Sequence, residues 1–227
     1  RKKGQMRPRK KPAKPILPRR VMGDRLPFTT RNAWMLKLAR QGVYWTIQGE
    51  GALVGEPMVF IRLAGCSVGC PSCDTNYAFW RECSAAEIAA ECLKQRHANN
   101  RAKHAWVTGG EPTDQDLEPL LAALWSAGFI PCLATSGIRP VSADWGWISV
   151  SPHRPDFWQR RGDEIKVVPM LNDLQIAAID HTTTSFRHQY VQPMVGSRES
   201  LAECLEWVRH NEDWSFSPQC HKSWGLP

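Results

Sequence analysis

The chain has neither a long hydrophobic run nor the paired cysteines of a disulfide-rich secreted protein. No stretch of its 227 residues approaches the length of a membrane span, and no apolar signal segment is recognisable near its beginning. Five of the eight cysteines lie singly, which argues against a disulfide framework; they are Cys83, Cys92, Cys132, Cys204 and Cys220. We therefore expect a cytoplasmic protein in a reducing environment, without a membrane partner.

Acidic residues are absent from the first twenty positions, which contain ten Lys or Arg residues and four prolines. The rest of the chain holds the other 19 of the 29 basic residues and all 22 acidic ones, so it is slightly acidic. A basic segment this rich in proline cannot continue a helix or a central strand. We expect residues 1–22 to be a disordered arm able to contact nucleic acid, and residues 23–227 to form one folded domain.

Short β-rich runs alternate with amphipathic stretches after Trp45, a pattern typical of parallel strands joined by helices. This predicts a single α/β domain, and seven strands are too few for an eight-fold barrel, so we expect a partial (β/α) barrel. The predicted strands are 57–64, 104–108, 129–134, 147–150, 165–168, 187–191 and 214–217. The predicted helices are 85–97 with a Ser84–Glu87 capping box, a helix from a Thr113 or Asp114 cap to about 126, 172–180 and 197–210.

Unusual short sequences follow five of these predicted strands. In α/β folds the ligand site lies at the carboxyl ends of the strands, so we expect these loops to converge on one site. They are Gly65-Cys66, Thr108-Gly109-Gly110-Glu111-Pro112, Thr135-Ser136-Gly137, Ser151-Pro152-His153 and Gln192-Pro193-Met194.

Three cysteines are closely spaced after the first predicted strand. Cys66, Cys70 and Cys73 form a C-x3-C-x2-C triplet. A closed zinc or iron-sulfur site normally has four protein ligands, whereas a 4Fe-4S cluster held by three cysteines leaves one iron open to another ligand. The triplet favours such a cluster. The alternative is structural zinc with Cys83 or a histidine as fourth ligand, although no second close-spaced pair is present.

The triplet followed by the Gly-Gly-Glu-Pro loop resembles the radical S-adenosylmethionine superfamily, whose fold is a partial TIM-like (β/α) barrel. The resemblance implies that the open iron binds S-adenosylmethionine, and that one electron cleaves this cofactor to a 5'-deoxyadenosyl radical. It also implies an electron donor such as flavodoxin. Gly109 and Gly110 lack a Cβ, so their backbone could approach the methionine part of the cofactor and offer it peptide groups, although such a pair is more often a simple turn.

Further stretches, in order from Trp45 to the end, are similar to the 7-carboxy-7-deazaguanine synthase family. They are 46–51, Arg62, 73–75, 107–112, 162–168, 191–194 and 219–222, with the terminal Leu226-Pro227. Members of that family convert 6-carboxytetrahydropterin to 7-carboxy-7-deazaguanine with loss of ammonia, a step toward queuosine and other deazapurines. The resemblance implies this lyase reaction and a homodimer.

A pterin has an amide and amidine edge, and this one also has a carboxylate, so its pocket needs fixed polar groups and a cation. Arg62 can bind the carboxylate with two hydrogen bonds, or it could form a salt bridge at a strand end. Glu50 is interpreted as a cap of its loop. The resemblance implies that Ile47, Gln48, Gly49, Arg62, Thr108 and the terminal Pro227 line the pterin.

The resemblance also implies a magnesium ion and a site for S-adenosylmethionine. Thr75 would bind Mg²⁺ near the substrate carboxylate, whereas Asp74-Thr75 without the resemblance is typical of a helix cap. The cofactor would contact Ser72, Cys73, Asp74, Gly110, Ser151, Pro152, His153, Gln192, Pro193, Met194 and Val195.

Four positions depart from the family pattern in this region. Ser72 replaces an aromatic residue that packs on the adenine, Ala134 a glutamate, His153 a lysine and Val195 an aspartate. Either other groups hold the cofactor, or the substrate or rate has changed. Two alternatives stay open: another radical reaction, such as activation of a glycyl-radical protein, and a nucleic-acid-binding protein that keeps the cluster and needs residues 1–20.

Overall fold

The computed structural model describes residues 35–70, 73, 79–99, 102–154, 156–168 and 184–227. The helices among them are α1 (Ala85–Asn99), α2 (Glu118–Ser126), α3 (Arg198–His210) and α4 (Cys220–Trp224), with short 3-10 helices at Gly51–Leu53 and Pro112–Asp114. The strands are β1 (Met35–Ile47), β2 (Pro57–Leu63), β3 (Trp80–Ser84), β4 (His104–Gly109), β5 (Ile130–Thr135), β6 (Trp147–Val150), β7 (Arg161–Val167), β8 (Ser185–Val191) and β9 (Ser215–Phe216).

All nine of these strands belong to one sheet, in the order β3-β1-β2-β4-β5-β6-β7-β8-β9. The strands β2 and β4 to β9 run parallel, whereas β1 pairs antiparallel with β2 and β3 pairs antiparallel with β1. Parallel strands joined by crossover connections bring their carboxyl ends to one edge of the sheet. This topology confirms the predicted α/β architecture with a partial (β/α) barrel.

The two faces of the sheet have different partners because successive side chains of a strand point to opposite faces. On β2, Val59, Ile61 and Leu63 are buried in the main core with residues of α1 and α2. Met58 and Phe60 belong to a smaller cluster on the opposite face. The helices therefore cover one face, and the other face leads to the site described below.

The structure confirms the seven predicted strands and the helices predicted at 85–97 and 197–210, within a few residues of their bounds. The capping box is also confirmed. Ser84 N donates to Glu87 Oε2 over 2.7 Å, and Glu87 N donates to Ser84 Oγ over 3.3 Å. The largest difference is in β7, which begins at Arg161 because the polar residues there pair with β8.

Three features differ from the prediction or lie beyond it. The pattern does not predict β3, a short edge strand, or β1, whose register shifts between Leu38 and Val43, where Gly42 has a φ of 66°. The helix cap expected at Thr113 or Asp114 is wrong, because these residues form a 3-10 helix and α2 begins at Glu118. The predicted helix 172–180 and the arm 1–22 lie outside the described residues.

No helix within the described ranges is both long and apolar enough to cross a membrane.

Candidate active site

The carboxyl ends of the parallel strands surround a cavity of about 630 Å³, a volume typical of small-molecule sites. Separate loops along the chain converge on it, as predicted. Every predicted site residue that the structure describes lines this cavity: Ile47, Gln48, Gly49, Arg62, Cys66, Cys70, Cys73, Thr108, Gly110, Ser151, Pro152, His153, Gln192, Pro193, Met194, Val195 and Pro227. Ser72, Asp74 and Thr75 lie outside the described residues.

The three closely spaced cysteines share this cavity, in the loop after β2. Cys73 N donates to Cys70 O over 3.2 Å, so the loop turns back on itself. Burial raises the pKa of the Cys70 thiol, and Cys66 and Cys73 raise it further because neighbouring thiolates repel one another. A positively charged metal centre would relieve that repulsion, so the residues present fit a 4Fe-4S cluster.

The position of Cys83 does not support the zinc alternative. Cys83 is buried in β3 opposite Leu36, accepts a hydrogen bond from Arg81 Nη1 over 2.9 Å, and does not line the cavity. Across the part of the chain that is described, no group of three or more His, Cys, Asp or Glu side chains is arranged to hold a single metal ion. Cys83 is therefore not a fourth ligand beside the triplet.

The Gly-Gly-Glu-Pro loop after β4 lies directly on the cysteine loop. Gly109 has a φ of 143°, and a Cβ on it would collide with Leu63, while a Cβ on Gly110 would collide with Gly65. Gly110 N donates to Leu63 O over 3.0 Å, and Glu111 N donates to Gly65 O over 2.9 Å. The glycines permit this close contact, in which the Gly110 amide binds the end of β2 and the Glu111 amide binds the cysteine loop.

Glu111 is a buried carboxylate that joins the loops after β4 and β5. It is 1% exposed. Oε1 accepts hydrogen bonds from Thr113 N, Thr113 Oγ1 and Thr135 Oγ1, and Oε2 accepts from Ser136 N and Ser136 Oγ, over 2.5 to 3.0 Å. These donors satisfy both oxygens, as a buried carboxylate requires. Glu111 therefore fixes Gly110 and Ser136 relative to each other on the cavity wall.

Three of the four departures from the family pattern also line the cavity: Ala134, His153 and Val195. Burial lowers the pKa of His153, although the Glu111 carboxylate opposes this effect. The lowered pKa favours the uncharged imidazole at a position where the family pattern has a lysine. This part of the wall carries less charge than the resemblance implies.

An aromatic pair and a cation lie side by side on the inner face of β2 and β4. The rings of Phe60 and Trp106 are stacked with centroids 6.1 Å apart. Two positions further along each strand, Arg62 pairs in register with Thr108. Arg62 Nη2 donates to Tyr44 Oη over 3.0 Å. This combination suits a flat ring that carries a carboxylate.

A buried ion pair connects the loop before β2 to β7. Lys166 Nζ lies 2.7 Å from Glu50 Oε2 and 3.9 Å from Glu164 Oε1, and Gln219 Nε2 donates to Glu50 Oε1 over 2.8 Å. Burial alone would raise the pKa of Glu50, but Lys166 and Gln219 lower it to about 2. Burial would likewise lower the pKa of Lys166, but Glu50 and Glu164 raise it.

The interpretation of Glu50 as a loop cap is wrong. Its side chain makes no capping hydrogen bond to the 3-10 helix Gly51–Leu53, because both of its oxygens bind Lys166 and Gln219. Sequence reasoning also assigned no role to Glu111. Like Lys166 and Gln219, both glutamates lie in stretches similar to the family. Glu50 and Lys166 are 116 positions apart, however, so only the fold shows that they are partners.

A cysteine triplet and a Gly-Gly-Glu-Pro loop at the carboxyl edge of a partial (β/α) barrel define a radical S-adenosylmethionine enzyme. The chain is 31% identical over 205 residues to 7-carboxy-7-deazaguanine synthase of Burkholderia multivorans, an alignment that covers 82% of this chain and 97% of that protein. The chain belongs to the 7-carboxy-7-deazaguanine synthase family.

Two further comparisons agree with this assignment. The 7-carboxy-7-deazaguanine synthase of Bradyrhizobium diazoefficiens is 32% identical over 213 residues, covering 84% of this chain and 100% of that protein. The crystal structure of QueE from Escherichia coli superposes with a TM-score of 0.64 at 26% identity, covering 82% of this chain and 95% of that one. No family model matches the chain.

Proposed function

We propose that the protein converts 6-carboxytetrahydropterin to 7-carboxy-7-deazaguanine and ammonia, as the names of its relatives suggest. The observation that carries this proposal is a single cavity in which three cysteines lie with an arginine, the Gln48-Gly49 backbone and the terminal Pro227. A radical reaction needs its cofactor and the reacting carbon in contact, and this cavity offers both sets of groups.

The cofactors would be held by overlapping sets of residues. Cys66, Cys70 and Cys73 would ligate the 4Fe-4S cluster, and Thr75 would offer an oxygen ligand to Mg²⁺. When bound, the cluster and S-adenosylmethionine would supply the radical chemistry for hydrogen abstraction from the carbon bearing the carboxylate. The S-adenosylmethionine site would comprise Ser72, Cys73, Asp74, Gly110, Ser151, Pro152, His153, Gln192, Pro193, Met194 and Val195.

The side chains around the substrate would orient it and exclude water. Arg62 would bind the carboxylate through its planar guanidinium group, which fixes the carbon beside it. Gln48 and Thr108 would bind the polar edge of the ring, together with Ile47, Gly49 and Pro227. The rings of Phe60 and Trp106 would cover a face of the cavity with apolar surface.

The reaction and the family resemblance also imply partner proteins. One electron must reach the cluster, so we propose a low-potential donor such as flavodoxin. A homodimer is proposed on the family resemblance alone. A cytoplasmic location is supported by the eight free cysteines. The arm 1–22, the core domain 23–227 and any nucleic-acid contact remain predictions.

A product assay tests the proposal directly. Anaerobically reconstituted protein, given reductant, S-adenosylmethionine, Mg²⁺ and 6-carboxytetrahydropterin, is expected to form 7-carboxy-7-deazaguanine with one ammonia for each product molecule. Mass spectrometry measures the product, and liquid chromatography measures 5'-deoxyadenosine. Cleavage of the cofactor without any deazapurine would overturn the substrate assignment and leave a radical enzyme with another substrate.

Replacing Arg62 is expected to weaken substrate binding more than turnover. Arg62→Leu leaves the carboxylate without its cation, and losing one partner of such a charge pair raises KM by about a hundredfold. Arg62→Lys keeps the charge but not the two-pronged geometry, so its KM should lie between that of Arg62→Leu and that of the unmodified protein. Tyr44→Phe is the matched control, because it removes only the oxygen that accepts from Arg62. Steady-state kinetics that showed equal KM values for all forms would contradict the role of Arg62.

A further inference from the structure

Glu50, Lys166 and Gln219 join three segments that are distant in the sequence. Lys166 lies on β7 with its side chain 7% exposed. Glu50 belongs to residues 48–53, which we name the wall loop, and Gln219 to residues 217–227, which we name the terminal segment. The two contacts to Glu50, at 2.7 Å and 2.8 Å, involve an ionised carboxylate and are therefore strong hydrogen bonds.

Backbone contacts hold the same three segments together. Gly49 O accepts from Cys220 N over 2.9 Å, which joins the wall loop to the terminal segment. Ala52 N donates to Glu164 Oε2 over 2.9 Å, which joins the wall loop to β7. Gly51 has a φ of 65°, and a Cβ on it would collide with the Glu164 carboxylate, so the wall loop lies directly on this strand.

The position of Pro227 depends on the same contacts. The helix α4 starts immediately after Gln219, and its end is closed by Gly225, with a φ of 67°, and by Leu226 N donating to His221 O over 2.9 Å. Pro227 follows and lines the cavity. A fixed Gln219 therefore fixes the whole terminal segment, because a five-residue helix with a closed end has little freedom of its own.

We infer that Glu50, Lys166 and Gln219 are positioning residues that set the affinity for the pterin by holding the wall loop and the terminal segment as one rigid wall. The inference rests on the proposed function, because the substrate contacts assigned to these segments are Gln48, Gly49 and Pro227. Both oxygens of Glu50 have hydrogen-bond partners, and a buried polar network held in this way rigidifies the structure around it. The three residues thus act through the wall and not on the reacting carbon.

Two neutral substitutions test the inference. Glu50→Gln keeps the size of the side chain and removes its charge. Gln219→Leu removes the amide group that donates a hydrogen bond to Glu50. Each is expected to raise KM for 6-carboxytetrahydropterin about tenfold or more, while kcat changes less than about threefold, because ground-state and transition-state binding are lost together. The double variant should be no worse than Glu50→Gln, since both changes break one network.

The matched control is Glu91→Gln, which removes an exposed ion pair with Arg81 at 2.6 Å, away from the cavity wall. It should leave KM unchanged. Cluster content and substrate-free cleavage of S-adenosylmethionine should be equal in all variants, which a general loss of structure would not allow. Loss of kcat at constant KM, additive effects in the double variant, or an equal effect of Glu91→Gln would each overturn the inference.

Hydrogen exchange tests the wall without any turnover. In Glu50→Gln and Gln219→Leu, the amides of Ala52 and Cys220 should exchange about tenfold faster or more than in the unmodified protein, because the wall loop and the terminal segment are no longer held in place. Amides of α1 should not change. Unaltered exchange at Ala52 and Cys220 would overturn the inference, whereas absence of deazapurine product with faster exchange would overturn only the substrate assignment.

Discussion

Cys70→Ala is expected to remove the cluster, the cleavage of S-adenosylmethionine and product formation together. A 4Fe-4S cluster with three protein ligands has no ligand to spare, and Cys70 shares the cavity with the other two cysteines. Iron content and visible absorbance of the anaerobically reconstituted protein measure the cluster. 5'-Deoxyadenosine measures cofactor cleavage, which should fall to the background of a cluster-free sample.

Cys83→Ala is the matched control for this experiment. Cys83 is a single buried cysteine between β3 and β1, so its replacement costs some packing but should leave the cluster, the cofactor cleavage and the product intact. A cluster that survives in Cys70→Ala would contradict the assignment of the triplet. A cluster lost in Cys83→Ala would restore Cys83 as a ligand.

The parallel strands and the place of the site could be predicted because both depend on local patterns. Runs such as Val59 to Leu63 are short, β-rich and bounded by turn residues, and parallel strands must share one carboxyl edge. The cysteine loop directly follows such a run, so the predicted strand also predicts that this loop lies at the carboxyl edge of the sheet. The cysteine motif and the strand pattern therefore predict the same location for the site without any information on contacts between distant residues.

What could not be predicted depends on contacts between distant residues. The strand β1 contains a register shift and a glycine at positive φ, which breaks the alternation on which strand prediction rests. The fold gives Gly109 and Gly110 a packing role that the sequence did not indicate, because a Cβ on Gly109 would collide with Leu63 and a Cβ on Gly110 with Gly65. Likewise, the neighbouring sequence does not show whether a carboxylate such as Glu111 is buried and hydrogen-bonded or exposed to solvent.

The hydrogen bonds of Glu111 help to explain how the cavity wall is held where the chain departs from the family pattern. Burial lowers the pKa of His153, which favours its uncharged form, and Ala134 offers no side-chain acceptor, so the cavity wall after β5 and β6 carries less charge than the family pattern. Thr135 and Ser136 flank that region, and their hydroxyls are both committed to Glu111. The shape of the wall around the cofactor should therefore depend strongly on Glu111, even though its oxygens are satisfied by the protein itself.

Glu111→Ala is accordingly expected to destabilise the protein and to weaken S-adenosylmethionine binding. Five donors on Thr113, Thr135 and Ser136 lose their acceptor, and because each unsatisfied buried group costs about 1–3 kcal/mol, we expect a loss of about 3–5 kcal/mol in total. For a domain of this size that lowers Tm by roughly 10 °C. Urea unfolding measures the free energy, and calorimetric titration of the cluster-loaded protein measures the cofactor affinity.

Two companion variants separate the network from a general effect of losing a carboxylate. Glu118→Ala removes an exposed acid from the first turn of α2 and should cost less than about 1 kcal/mol. Glu111→Gln keeps the volume but places an NH₂ group opposite donors that surround one of the two oxygens, so its stability should lie between that of Glu111→Ala and the unmodified protein. If Glu111→Ala were as stable as Glu118→Ala, the five hydrogen bonds would not be holding the loops after β4 and β5 together, and the cofactor side of the cavity would need another support.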